Sequence, residues 1–74
     1  MKEYEIMCKY INGCGGEEYP LISFEEAELA DPDDFVRGKH GRYFDRFTKE
    51  ILPSGRIRYV WNEGVTYIYE LSEI

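Results

Sequence analysis

The stretch "INGCGGEE", residues 11–18, sets a cysteine between glycines and just ahead of two carboxylates, and it is the most reactive-looking part of the chain. Cys14, Cys8 and His40, the one histidine, are the side chains that could serve as nucleophile, base or soft metal ligand. A thiol becomes a good nucleophile where positive charge or a helix N-terminus stabilises its thiolate. Glu17 and Glu18 act in the opposite sense on Cys14, because nearby negative charge disfavours the thiolate. A zinc site from Cys8, Cys14 and His40 lacks the short cysteine spacing of structural zinc motifs and would need a carboxylate as fourth ligand. "GKHGR" lacks the Lys-Ser/Thr pair of a phosphate loop, and "DPDDF" lacks the glycine and distal glutamate of a calcium loop. The adjacent acids Glu25–Glu26 and Asp33–Asp34 read as solvated pairs. The expectation is a non-enzymatic protein with no catalytic residue, no metal ligand and no cofactor.

Those side chains must be held by very little protein. A chain of 74 residues makes a single domain, residues 1–74, near the small end of what folds alone, with little room for an enclosed cofactor cavity. Hydrophobic residues are 43% of the chain and aromatics 16%, too apolar for a disordered segment despite 32% charged residues. No apolar h-region follows Lys2, and charges interrupt every apolar run before it could span a bilayer. The expectation is a cytoplasmic protein with no membrane association, whose two cysteines are reduced thiols rather than a disulfide.

The first segment, "EYEIMCKYI", alternates, with Tyr4, Ile6, Cys8 and Tyr10 on one side and Glu3, Glu5 and Lys9 on the other, the pattern of a half-buried strand. The glycines of residues 13–16 read as its exit turn, leaving Cys14 an exposed, ordinary thiol and Cys8 a core one. In "SFEEAELA", Ser23 and Glu26 have the spacing of a capping box, which predicts a helix of about two turns. Pro32 disfavours helical geometry at Asp31, so the helix should end there and "DPDDFVRGKHG" should follow as a polar loop.

The segment "RYFDRFTKEILPSGRIRYVWNEGVTYIYELSEI" contains two turn signals, "PSG" and "NEG", each ending in a glycine suited to closing a three-residue hairpin loop. Such loops set Phe47 opposite Trp61 and Ile51 opposite Ile57. In the second hairpin they set Trp61 opposite Val65, Tyr59 opposite Tyr67 and Ile57 opposite Tyr69. One face is then almost wholly apolar, apart from Lys49 and Asp45, and the other pairs Glu50 with Arg58 and Arg56 with Glu70. The predicted fold is α+β: a small antiparallel sheet, made of this three-stranded C-terminal meander and the N-terminal strand, with one short helix, in the order β-α-β-β-β. The N-terminal strand could join either edge of the meander.

Charge is divided along the chain. Residues 1–36 hold two basic against ten acidic residues, and residues 37–74 hold seven against five, within a net charge of −6. The acidic segment, with Glu17, Glu18, Glu25, Glu26, Asp33 and Asp34, is the candidate surface for a protein partner, since complementary charge speeds encounter and selects partners without any catalytic group. The leading expectation is an interaction module that binds another protein through this segment or through a sheet edge. The alternative is nucleic-acid binding through Arg42, Arg46, Arg56 and Arg58, interleaved with aromatics as a single-stranded platform requires. The derived register weakens that alternative by placing the arginines opposite the rings. An open sheet also leaves edges through which two copies could form a homodimer.

Overall fold

The first strand is long because its alternation is uninterrupted: β1 runs Lys2–Asn12 and sends Tyr4 and Ile6 into the core. The computed structural model describes residues 1–12 and 21–74. The expected exit turn, and with it Cys14, Glu17 and Glu18, lies outside the described residues. After that gap come β2 (Leu21–Leu29), α1 (Asp33–His40), a 3-10 turn (Gly41–Arg46), β3 (Thr48–Ile51), β4 (Ile57–Glu63) and β5 (Val65–Glu73). The strands form one antiparallel sheet in the order β2-β1-β5-β4-β3. The helical segment covers one face, where Tyr4, Ile6, Val36, Tyr59, Tyr69 and Leu71 make the buried core. This is the expected small α+β fold with its C-terminal meander, and β1 joins the meander beside β5.

Two local expectations are corrected. "SFEEAELA" is not a helix but most of β2, whose nine residues pair one for one with β1, from Lys2↔Leu29 to Tyr10↔Leu21. Its Glu, Ala and Leu favour a helix only weakly, and a long neighbouring strand with one covered face outweighs that preference. The helix lies instead in the stretch expected to be a polar loop. Asp31 opens it, its carboxylate accepting the Asp33 N–H at 3.0 Å, and Pro32 starts the turn instead of ending one. Asp33 and Asp34 sit in the first turn and Arg37, Lys39 and His40 in the last, the arrangement that complements the helix dipole. Val36 is the residue that this short helix buries.

The meander matches its predicted faces with one shift in register. The first hairpin pairs Ile51↔Ile57 and Glu50↔Arg58 as derived, closed by Leu52 N–H to Arg56 O at 2.8 Å. The second turns more tightly, on Gly64 alone at φ 86°, a left-handed conformation that glycine adopts without a Cβ penalty. Trp61 therefore meets Tyr67, Tyr59 meets Tyr69 and Ile57 meets Leu71, instead of Val65, Tyr67 and Tyr69. The slip is two residues, and a period of two keeps every side chain on its expected face.

Candidate functional site

The covered face gathers the aromatic residues around His40. Its ring lies 4.7 Å from Tyr67, 4.8 Å from Phe47 and 6.0 Å from Trp61, and Nε2 is 2.7 Å from the Tyr69 hydroxyl. Burial and the neighbouring Lys39 both lower the His40 pKa, and burial raises that of Tyr69 to about 12. Cys8 lies beside them, its thiol 3.5 Å from Glu25, which Lys39 pairs at 3.0 Å. Burial and the Glu25 contact raise the Cys8 pKa, which leaves a protonated thiol at neutral pH. The geometry serves packing: the histidine ties the end of α1 to β5 through Tyr69.

A pH dependence follows from this. Because His40 has a lowered pKa in the fold, the unfolded chain binds the proton more readily, so stability is fully present above the ordinary value of 6.5 and falls as pH drops below it. The melting temperature should decline as pH falls below 6.5, and His40→Gln, which keeps a partner for Tyr69 but does not titrate, should flatten that decline. An unchanged slope in the variant would show that other groups carry it.

The predicted acidic surface is dispersed. Glu25 pairs with Lys39 on the covered side, and Asp34 with Arg37 at 3.2 Å. Asp33 is an anchor, accepting from the buried Tyr59 hydroxyl and lying 3.0 Å from Lys49. Glu26 alone of the described set remains available, on the uncovered face of the sheet. The arginines are also divided. Arg42 and Arg46 stand in the 3-10 turn and not on the meander, where they were expected, whereas Arg58 projects from the uncovered face. Arg58 pairs with Glu70 at 3.3 Å, Arg56 reaches the same carboxylate at 3.7 Å, and Arg46 reaches Glu63 at 3.1 Å. The rings that an arginine platform would need are chiefly in the core; the exposed Phe24 and Tyr43 lie on opposite sides of the sheet.

Alternation in β2 creates a surface that the sequence reading missed. Ile22, Phe24, Glu26 and Glu28 all point away from the helix, joined by Glu3, Glu5, Met7 and Lys9 of β1. Phe24 is 68% exposed and Ile22 51%. Glu3 stands opposite Glu28 and Glu5 opposite Glu26, and among the described residues no lysine or arginine pairs with any of the four. Beyond them the backbone of β2 ends the sheet. The alternation of Ile22, Phe24, Glu26 and Glu28 was the signal for this face, hidden behind the capping-box spacing.

The fold and this surface define a two-layer α+β protein, a five-stranded antiparallel sheet with one covered and one open face. Compared with known protein families, curated proteins and solved structures, the chain gives no match. No helix among the described residues is long and apolar enough to cross a membrane.

Proposed function

We propose that this chain is a non-enzymatic interaction module that binds another protein at the β2 edge and the adjoining open face. The observation that carries the reading is β2 itself, nine residues at the end of the sheet with Leu21, Ile22 and Phe24 exposed. An edge strand of this length, with apolar side chains, is a template for an added strand, in which main-chain hydrogen bonds supply affinity and alternate side chains supply specificity. The opposite edge, β3, has four residues, and a short edge strand is a poor template.

Affinity capture from the native cell should recover a partner with the wild-type chain and with Ile51→Ser at the β3 edge. Phe24→Ser should lose it. Both side chains are largely exposed, so neither change should alter stability by more than about 0.5 kcal/mol. Equal recovery by all three chains, or no protein above background with the wild type, would count against the reading.

A further inference from the structure

Resting on that reading, we infer that the segment docking on β2 is an extended, basic strand, with lysine or arginine alternating with apolar residues. Two rows of carboxylates face each other across β1 and β2, Glu3 with Glu28 and Glu5 with Glu26, and like charges directly opposite one another destabilise a sheet. Elsewhere on the open face the same chain pairs its charges: Arg58 lies between Glu50 at 3.8 Å and Glu70 at 3.3 Å. The four unpaired acids therefore form a local negative field at the Glu26 and Glu28 end of β2, next to exposed Phe24, and Lys9 stands opposite Ile22 at the other end. A strand added outside β2 would place one set of its alternate side chains on this face, where lysines meet negative charge beside Glu26 and Glu28 and lay their aliphatic stems along Phe24 and Ile22, while the apolar set turns to the covered side. Cations there would relieve the repulsion that the free protein carries. A second copy fits less well, because each chain has a net charge of −6 and brings its own β2 acids to the contact.

The probe is a nine-residue synthetic peptide alternating lysine and valine, titrated into the isotope-labelled full chain while backbone amide shifts are followed by nuclear magnetic resonance. Two controls are used: a peptide of the same composition with its lysines in one block, and one alternating glutamate and valine. The alternating basic peptide should shift the amides of Leu21–Leu29, and Glu26→Gln combined with Glu28→Gln should weaken it about tenfold, the scale of two exposed ion pairs. Added salt should weaken it too. Equal binding by the glutamate peptide at β2 would overturn the basic partner while leaving strand addition intact. Equal binding by the block peptide would show charge attraction without strand pairing and overturn the inference. If no peptide shifts β2, the inference and the reading beneath it both fall. Concentration-dependent doubling of the protein's mass that blocks peptide binding would assign the edge to a second copy instead.

Discussion

Ile6→Ala should cost about 2–5 kcal/mol, the range for emptying a buried aliphatic site. Ile6 is fully buried at the middle of β1, opposite Leu71 of β5 in the register, and belongs to a core of six residues. A protein of this length has a total stability of roughly 4–11 kcal/mol, so the loss removes a large part of it. Ile51→Ala deletes the same atoms from a side chain that is 71% exposed and should change stability by less than about 0.5 kcal/mol. Urea unfolding of both variants gives the comparison. Similar midpoints would mean that β1 does not lie at the centre of the sheet.

Asp33→Ala should cost about 1–3 kcal/mol, because it leaves the hydroxyl of fully buried Tyr59 without its acceptor. It also strands Lys49, which projects from the covered face of β3 and lies 3.0 Å from the same carboxylate. Burial opposes ionisation of Asp33, but the Tyr59 hydrogen bond and Lys49 outweigh it and hold the carboxyl below its ordinary pKa of 3.8. A depressed pKa stabilises the fold above that ordinary value, and the contribution disappears as pH falls through the lowered one. The variant should therefore lose most at neutral pH and differ least from wild type in strong acid. A double-mutant cycle with Tyr59→Phe should show coupling of about 0.5–3 kcal/mol; additivity would mean the helix is not tied to β4 through this pair.

How far the sequence could be read depended on whether each signal was local. The alternation of Tyr4, Ile6, Cys8 and Tyr10 and the two glycine turns are local, and they were enough for β1, the meander and its faces. The Gly64 turn shortened the second loop, but a two-residue slip leaves the faces unchanged. Even Lys49, an exception on the apolar face, has its reason in Asp33. The segment Leu21–Leu29 failed because its helical signals, Ser23 with Glu26 and the Glu-Ala-Leu run, are weak preferences. Its strand state comes from β1, the antiparallel partner that it pairs along its whole length. The same error hid the open acidic face, since Glu26 and Glu28 join Glu3 and Glu5 only once β2 is extended. The helix at Asp33–His40 had its own marks, acids first, bases last and Gly41 beyond, which were outweighed by reading Pro32 as a stop.

A partner that adds a strand at β2 leaves its mark in amide hydrogen exchange, measured on the wild-type chain with and without the captured partner. Strand addition predicts new protection at alternate amides within Leu21–Leu29, those directed away from β1, with little change at Thr48–Ile51 on the other edge. New protection on α1 or on β3, with the β2 amides unchanged, would contradict it.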